Sequence, residues 1–395
     1  MISVSQAKAL ILNHTSLLEA VVTDLYEANG LVIGEDLYSQ VDVPPFDQSA
    51  MDGYGFHFSD LNNTQTLKLE GEIPAGVFYP HAIPSHTAIR IYTGAAVPEN
   101  CDTIVMQEKV EIKNDQVVIK DPHVKKGLNI RLKGTQTKKG ELAMQKGLKL
   151  SAGAIGYLAG LGFQAVAAHP KPNVCIINTG KELTKPGHPL EPGKVYECNS
   201  YSLNAALNDL HIQAQSSFMV DDNEAATIQL ISENIGNCDV MILSGGVSVG
   251  DYDYVASSLA ACGVETIFHK VKQKPGKPMY FGKKGKTLMF GLPGNPAALL
   301  TCYYAYIVPA IKKMMGQESE ESKTVMMPLS EGFVKKSGLT YLLKGKVFGK
   351  EVSPLNSQES YLMNSFAAAD CIIHLEEEKT DYKKGELVEV HFIDQ

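Results

Sequence analysis

The stretch "TLMFGLPGNPAALL", residues 287–300, places a short apolar run before a glycine-rich turn and the start of a helix. The same order recurs upstream, in "NVCIINTG" at 173–180 and "CDVMILSGG" at 238–246, with amphipathic helical segments between the runs. Strands and helices that alternate in this way form βαβ crossovers and a parallel sheet. We therefore predict a parallel-sheet α/β domain in which ligands bind at the carboxyl ends of the strands.

The flanking segments differ from this α/β pattern. Apolar residues recur at helical spacing from Ser5 to about Leu37 and again over 151–162, where Ser151 is a possible helix cap. Glycine, proline and short β-type runs fill the chain between them, and two runs joined across Lys113–Asp115 predict a hairpin. The last segment also carries β-type runs. The predicted domains are a split helical domain (1–42 and 140–170), an inserted β domain (43–139), the α/β domain (171–318) and a small C-terminal barrel or sandwich (324–395).

Composition excludes several classes of protein. A net charge of -8 argues against a general nucleic-acid binder, because phosphate-driven affinity needs a basic face. Seven cysteines without CxxC spacing and eleven histidines without metal-ligand spacing predict neither a disulfide framework nor a metal centre built on them. The N-terminus has no basic leader, and the longest mainly apolar stretch, 154–168, is short for a bilayer. We expect a cytoplasmic protein that does not span a membrane.

The loops that follow three predicted strands carry residues suited to an oxyanion ligand. Glycines let backbone N–H groups approach phosphate closely, and Asn295 before Pro296 is a good helix cap and first-turn pair. A single loop of this kind is more often just a tight βα turn, whereas the three together favour an anion site. The candidate residues are Glu182 in the first loop, Ser244, Gly245, Gly246, Ser248, Gly250, Asp251 and Asp253 in the second, and Pro293, Gly294 and Asn295 in the third.

Two further features, an acidic pair and a lysine-rich run, allow either a structural or a functional interpretation. Asp251 and Asp253 either cap the helix that starts near Tyr254 or hold Mg²⁺, and one acid can do each. The run "KVKQKPGKPMYFGKKGK", 270–286, has seven lysines and no acid, which is usual for a solvated face. Its Pro/Gly turn nevertheless favours phosphate contacts for part of the run. We predict phosphate contacts for Lys270, Lys274 and Lys277, and solvent exposure for Lys283, Lys284 and Lys286.

The chain resembles the molybdopterin molybdenumtransferases, which include the MoeA proteins of bacteria and the E domain of gephyrin. The resemblance covers nearly the whole chain in the order of the family's motifs. The matching stretches are "PPFDQSAMDGYG" (44–55), "IRIYTGAAVPENCDTIVMQE" (89–108), "GLNIR" (127–131), "NTGKEL" (178–183), "SGGVSVGDYDY" (244–254), "KPGKP" (274–278) and "GLPGNP" (291–296).

The resemblance implies an elongated homodimer with a MogA-like molybdopterin-binding α/β domain and a C-terminal β-barrel. The implied reaction inserts molybdate into adenylylated molybdopterin with Mg²⁺ and releases AMP, at a composite site between the α/β domain of one subunit and the β domain of the other. Asp52 and Thr93 would reach across the dimer. Motif by motif, the pocket residues implied are Glu182, Asp221, Asp253, Lys270 and Lys274, the Mg²⁺ ligands Asp52, Glu182, Asp251 and Asp253, and the further substrate contacts Arg131, Lys344 and Ser365.

This sequence departs from the family pattern at one acid. After Arg131 the family usually continues to a carboxylate where this chain has Gln136. Asp47, beside the motif that holds Asp52, is predicted to stabilise its turn instead of binding substrate.

Two other functions remain open at the sequence level. The fold also suits adenylylation of molybdopterin from Mg-ATP, and the gephyrin resemblance allows a non-catalytic scaffold. Hand-over partners among molybdopterin adenylyltransferase and the molybdoenzymes are expected in the enzyme interpretations.

Overall fold

The computed structural model describes residues 1–62, 64–221, 223–246, 254–317 and 325–393. The chain forms two compact units, which we name by composition. The β unit is Val22–Ala168, and the main unit is Met1–Val21 together with His169–Gln395. Within the described ranges, no helix combines the length and the apolar character needed to cross a bilayer.

The first helix, α1 (Val4–His14), is shorter than the periodicity predicts. Ser3 and Gln6 form a capping box at its start, with each side chain accepting a hydrogen bond from the other residue's backbone N–H. Thr15 is extended, with φ −86° and ψ 121°, so the prediction of helical structure as far as Leu37 was wrong. Short strands follow instead, because their pairing with distant strands outweighs local periodicity.

The β unit contains a principal sheet with strand order β8-β5-β7-β6-β10-β9. Its elements, with the strands at its two boundaries, are β1 (Val21–Asp24), β2 (Val32–Ile33), β3 (Leu37–Tyr38), β4 (Gln48–Ser49), β5 (Gly53–Phe56), β6 (Thr66–Ile73), β7 (Thr87–Ile91), β8 (Thr103–Met106), β9 (Val110–Lys113), β10 (Gln116–Ile119), β11 (Ile130–Arg131), β12 (Leu142–Met144), α2 (Ala152–Gly160) and β13 (Ala165–His169), with 3-10 turns at Phe58–Asn62 and Gln107–Lys109.

Two local predictions for the β unit are confirmed. Strands β9 and β10 form the expected hairpin, and its turn residues Asn114 and Asp115 have φ of 48° and 59°, as a type I′ turn requires. Ser151 caps α2 by accepting a hydrogen bond from the N–H of Ala154. Central strand β5 starts at Gly53, where a Cβ would lie 2.0 Å from the carbonyl oxygen of Val105, so the glycine lets β8 pack closely.

The main unit is built on a sheet with strand order β17-β14-β18-β22-β21-β19. Strands β14, β18 and β22 are buried along their whole length, which explains their continuous apolar sequences. The elements of this part are β14 (Val174–Thr179), β15 (Leu183–Thr184), β16 (Val195–Tyr196), α3 (Asn199–Asp209), β17 (Ser216–Val220), α4 (Glu224–Asn234), β18 (Val240–Ser244), α5 (Val255–Ala261), β19 (Glu265–His269), β20 (Gln273–Lys274), β21 (Tyr280–Lys284), β22 (Thr287–Leu292), α6 (Pro296–Cys302), a π-helical turn (Tyr303–Ile307) and α7 (Val308–Met314).

The predicted parallel sheet is confirmed for β17, β14, β18 and β22. Strand β21 runs antiparallel to β22. The reason is the short connection between them, since Lys284 pairs with Thr287 across a two-residue turn, and such a turn cannot make a parallel crossover.

The remainder of the main unit is a β-sheet with strand order β20-β25-β27-β29-β23, in which β26 pairs with β25. The predicted β structure of the C-terminal segment is therefore confirmed. Its elements are β23 (Val325–Pro328), β24 (Phe333–Val334), β25 (Thr340–Phe348), β26 (Glu351–Pro354), α8 (Met363–Phe366), β27 (Cys371–Leu375), β28 (Asp381–Tyr382) and β29 (Leu387–Phe392).

Candidate functional site

A pocket of about 660 Å³ lies where β14, β18 and β22 end. Strand register places Asn178 beside Ser244, and Ser244 beside Leu292, so the three following loops start at one edge of the sheet. The predicted convergence of these loops is confirmed. The residues that line this pocket include Thr179, Glu182, Glu197, Asn199, Ser244, Gly245, Gly246, Pro293, Gly294, Asn295 and Tyr361.

The second loop turns sharply against the first. Gly245 has φ +88°, and a Cβ there would lie 2.4 Å from the carbonyl oxygen of Thr179. Its N–H donates to the carbonyl of Leu292 at 3.2 Å. Gly245 therefore lines and shapes the pocket, and its own amide is already bonded within the protein.

Asn199 ties the second loop to the third. Its Nδ2 donates to Ser244 Oγ at 2.8 Å and to the carbonyl of Gly294 at 2.9 Å. It is the first residue of α3, whose second residue, Ser200, donates its N–H to the buried carboxylate of Glu197 at 2.7 Å. Sequence analysis missed Asn199 and Glu197, although "ECNS" directly before a predicted helix marks polar residues at a helix start.

Glu182 lines the pocket. Its Oε1 lies 2.8 Å from the position that a Cβ on Gly180 would take, so glycine leaves room for the carboxylate. Asp221 follows β17, and the carbonyl of the preceding Val220 accepts a hydrogen bond from Gly180 N–H at 3.2 Å. Both acids are exposed at the same edge of the sheet, and Glu182 lines the pocket as predicted, whereas Asp221 is not among the residues that line it.

The third loop contradicts one prediction. Asn295 occupies the cap position before α6 and Pro296 its first turn, but the Asn295 side chain makes no capping bond. Its Nδ2 instead donates to Ser360 Oγ at 2.8 Å, because the segment before α8 packs on this helix start. The same segment brings Tyr361 to the pocket, a residue that no motif indicated.

The lysines predicted to bind phosphate do not line the pocket. Lys270 follows β19 at the same edge of the sheet, two strands beyond β22. Lys274 Nζ lies 5.4 Å from the ring centroid of Tyr341, and Lys277 is exposed one residue before Pro278, which does line the pocket. The structure therefore brings this turn near the site without a direct lysine contact.

Two of the three lysines predicted to be solvated have structural roles. Lys283 Nζ donates to the carbonyl of His14 at 2.9 Å, and Lys284 Nζ to that of Cys262 at 2.6 Å. These carbonyls end α1 and α5, where a cation satisfies otherwise unpaired acceptors. The prediction of solvent exposure was wrong for Lys283, which is half-buried, but holds for Lys284, which is exposed although its ammonium is bonded, and for Lys286, which is 89% exposed.

Lys344 is buried, contrary to its predicted contact with substrate. Its Nζ donates to the carbonyls of Ser357, Glu359 and Leu362, at 2.8, 3.3 and 3.1 Å. Since an ammonium has three donors, none is left for an anion. Ser365 is also buried and donates to the Ser357 carbonyl at 2.8 Å, so both residues hold a loop together.

In the β unit, Asp52 is fixed by Thr93. Asp52 Oδ1 accepts hydrogen bonds from the Thr93 N–H and from Thr93 Oγ1, both at 2.8 Å. The backbone bond first, then the hydroxyl, and also the charge of Arg90, hold the pKa of Asp52 below its ordinary value. An exposed, ionised carboxylate thus keeps one orientation.

The neighbouring motif residues have other partners. Asp47 Oδ1 accepts from the N–H of Lys133 at 2.8 Å, so it stabilises the turn as predicted, but through a segment far along the chain. Arg131 is exposed in β11, opposite Gln48, and Gln136 donates its N–H to the carbonyl of Val43 at 2.9 Å. The predicted residues Ser248, Gly250, Asp251 and Asp253 lie outside the described residues.

A mostly parallel α/β sheet with a polar, glycine-containing pocket at its strand ends defines a ligand-binding domain of the nucleotide or cofactor type. Three family descriptions match successive parts of the chain. They are "MoeA N-terminal region (domain I and II)" over residues 2–162, "Probable molybdopterin binding domain" over 175–313 and "MoeA C-terminal region (domain IV)" over 327–393.

Relatives and solved structures agree with these matches. A molybdopterin molybdenumtransferase from Haemophilus influenzae is 33% identical over 376 residues, 93% of this chain and 92% of that protein. One from Staphylococcus aureus is 30% identical and covers 98% of this chain and 95% of its own. A crystal structure of the molybdopterin biosynthesis MoeA protein from Pyrococcus horikosii has a TM-score of 0.83 at 28% identity, covering 100% of both chains. The chain belongs to the MoeA family of molybdopterin molybdenumtransferases.

Proposed function

We propose that the protein inserts molybdate into adenylylated molybdopterin, releasing AMP and molybdenum cofactor. The observation that carries this proposal is the pocket at the ends of β14, β18 and β22, which is lined by carboxylate, hydroxyl and amide residues. Its volume of about 660 Å³ suits a ligand of nucleotide size. Membership of the MoeA family supports this chemistry for the pocket.

The substrate would bind with its phosphates against the second and third loops. Ser244 lines this pocket with its Oγ held by Asn199, and Gly246 has φ +60°, a conformation that favours glycine and leaves the backbone without a side chain. Asn199 holds the two loops at a fixed separation, since its amide is bonded to both. These groups position the phosphoanhydride before any reaction.

The residues present fit Mg²⁺, whose usual ligands are carboxylate oxygens. Glu182 and Asp221 place exposed carboxylates at one sheet edge, and we propose Asp251 and Asp253 as further ligands from the second loop. When bound, Mg²⁺ neutralises charge on the phosphates. Glu182 would point toward the anhydride, because Gly180 has no side chain to occupy the space that the Glu182 carboxylate fills.

Asp52 would act from the β unit of the other protomer in a homodimer. Its carboxylate is ionised and held by Thr93, so it can accept a proton or orient the attacking water or molybdate oxygen. Attack at phosphorus breaks the bond to the bridging oxygen, and AMP leaves. The two dithiolene thiols would then each form a bond to molybdenum, and one molybdate oxygen would leave as water with the two thiol protons.

The lysine-rich turn and Arg131 would supply positive charge near the bound dianion. We propose that Lys270, Lys274 and Lys277, on the turn that ends beside the pocket-lining Pro278, contact the bound substrate. We further propose a cytoplasmic location, with hand-over from a molybdopterin adenylyltransferase and to molybdoenzymes.

The proposal is tested by following AMP release and metal-bound cofactor from adenylylated molybdopterin, Mg²⁺ and molybdate. Asp52→Ala and Glu182→Ala should abolish both products while the far-UV circular dichroism stays unchanged, because both side chains are exposed. Glu70→Ala, an exposed acid that pairs with Lys68 on β6, is the matched control and should keep wild-type activity.

Three outcomes contradict the proposal. Unchanged AMP release from Asp52→Ala and Glu182→Ala would remove these residues from the reaction. Consumption of ATP without any need for molybdate would identify an adenylyltransferase. Absence of turnover by the wild-type protein would favour the non-catalytic scaffold.

A further inference from the structure

We propose that His374, Glu389 and His391 form a binding site for a divalent transition-metal ion of the zinc class, in the C-terminal sheet. One ligand atom from each residue can be chosen so that all three lie within 4.8 Å of one another. Across the described part of the chain, this is the one group of three or more potential His, Cys, Asp or Glu ligands with such geometry. The site does not depend on the function proposed above.

The three side chains share a face because of strand register. Strand β27 pairs antiparallel with β29, and His374 lies directly opposite Glu389. His391 follows two residues after Glu389 on the same strand, so its side chain points to the same side of the sheet. Paired strands hold the ligands in place more firmly than loops would. The spacing of histidines in the sequence does not predict this cluster, because His374 is brought beside Glu389 and His391 only by the pairing of β27 with β29.

The interatomic distances suit one small ion. His374 Nδ1 lies 3.1 Å from Glu389 Oε2, and His391 Nε2 lies 2.5 Å from Oε1 of the same carboxylate. Ligand atoms about 2.0–2.2 Å from tetrahedral zinc are about 3.3 Å apart, so small side-chain shifts would accommodate the ion. Each imidazole would offer a nitrogen lone pair, and any proton on that nitrogen would pass to solvent.

The ligand set selects the class of metal. Two imidazole nitrogens and one carboxylate oxygen are typical of zinc and its neighbours in the first transition row, whereas Mg²⁺ prefers oxygen ligands throughout. The side chains of His374, Glu389 and His391 are 16%, 33% and 26% exposed, so an ion can enter from solvent. Three protein ligands leave a coordination position for water.

Room for water also exists on the inner side. His391 lines a cavity of about 80 Å³ together with Ile372 on β27 and Tyr304 on the π-helical turn. This space can hold a few water molecules. The competing interpretation is a purely structural network, in which each imidazole donates to one oxygen of Glu389, and it predicts no metal affinity.

The test uses the full chain stripped of metal with a chelator and then titrated with Zn²⁺ against a chromophoric competitor. We expect one Zn²⁺ per chain at this site, unaffected by excess Mg²⁺. Glu389→Gln keeps the side-chain shape and should weaken binding roughly tenfold or more, as should His391→Ala. His123→Ala, an exposed histidine in the β unit, is the control and should bind as the wild type does.

Two further measurements make the result decisive. Circular dichroism of Glu389→Gln separates loss of binding from loss of fold. The Co²⁺-loaded protein should show an absorption spectrum for nitrogen and oxygen ligands without a thiolate charge-transfer band, which excludes binding at cysteines. Absence of Zn²⁺ binding by the wild type, full binding by folded Glu389→Gln, or a thiolate band would each overturn the site.

Discussion

At the residue scale, the structure shows which polar groups are free and which are already bonded. Asp52 and Thr93 come from separate motifs, and the two hydrogen bonds from Thr93 fix the orientation of the Asp52 carboxylate. Lys344 also matches a position of the family pattern, but its ammonium donates all three of its hydrogen bonds to backbone carbonyls. Residue type alone does not separate these cases, because the partner of each side chain lies far along the chain or across a fold-dependent contact.

Thr93→Val tests the fixed carboxylate. The substitution keeps the backbone N–H bond to Asp52 but removes the hydroxyl donor, so the carboxylate loses half of its restraint. We expect kcat for AMP release to fall about three- to tenfold with little change in KM, because orientation and not substrate affinity is impaired. Thr93→Ser restores the hydroxyl and should restore kcat. Equal kcat values for the valine and wild-type proteins would show that the bond has no role in turnover.

Lys344→Met tests the structural assignment of a buried cation. Three carbonyls lose their donor, which we expect to cost about 2–4 kcal/mol in the free energy of unfolding measured with denaturant. Lys346→Met, on the same strand but only half-buried, is the matched control and should change it by less than about 0.5 kcal/mol. Loss of turnover at unchanged stability would instead return Lys344 to the substrate site.

At the scale of elements, strand ends position the functional groups. Asn178, Ser244 and Leu292 lie side by side, so three loops far apart in sequence meet at one pocket. Alternating strands and helices predict this meeting point, since parallel strands share their carboxyl edge. The exact termini were less predictable, and α1 shows why: pairing of the following strands with distant partners ended the helix at His14.

Asp102, just before β8, gives a pH dependence to the β unit. Burial opposes its ionisation, but hydrogen bonds from the N–H of Phe58 at 2.7 Å and from Thr103 Oγ1 at 3.0 Å leave the pKa of Asp102 below its ordinary value. A carboxyl with a lowered folded-state pKa contributes stability above its unfolded pKa of about 3.9 and loses it as the pH falls through the folded value.

Asp102→Asn should therefore flatten the acid limb of the stability curve. We expect the free energy of unfolding to fall less steeply in the variant than in the wild type as the pH drops from about 5 toward 2. Denaturant titrations across this range provide the measurement. Parallel curves for the two proteins would show that Asp102 does not couple folding to protonation.

At the scale of the whole molecule, each active site of the proposed homodimer combines the pocket of one protomer with Asp52 of the other protomer. The predicted domain boundaries, 1–42 with 140–170, 43–139, 171–318 and 324–395, remain predictions, while the structure itself divides at Val22 and Ala168. The composite site is the part of the proposal that most needs an independent test.

Mixing two inactive variants provides that test. Asp52→Ala and Glu182→Ala damage different halves of the proposed site, so a mixed dimer has one intact site and one doubly damaged site. Random exchange of subunits makes half of the dimers mixed, and about a quarter of wild-type AMP release should return. Each variant incubated alone under the same exchange conditions is the control. No recovery despite mixed dimers, detected by differently tagged subunits, would place both acids in a site within one protomer.

The sequence by itself determined the class of fold and the family, because hydrophobic periodicity, glycine turns and motif order are local properties of the chain. It also located the loops of the pocket and the hairpin turn at Asn114 and Asp115. Only the tertiary structure decided which side chains are free to meet a ligand. Lys344, Asn295 and the Gly245 amide are bonded within the protein, while Asn199 and the His374–Glu389–His391 cluster arise from packing and strand register. The physical reason is that each hydrogen bond and each buried contact depends on atoms brought together by the fold, which no local pattern specifies.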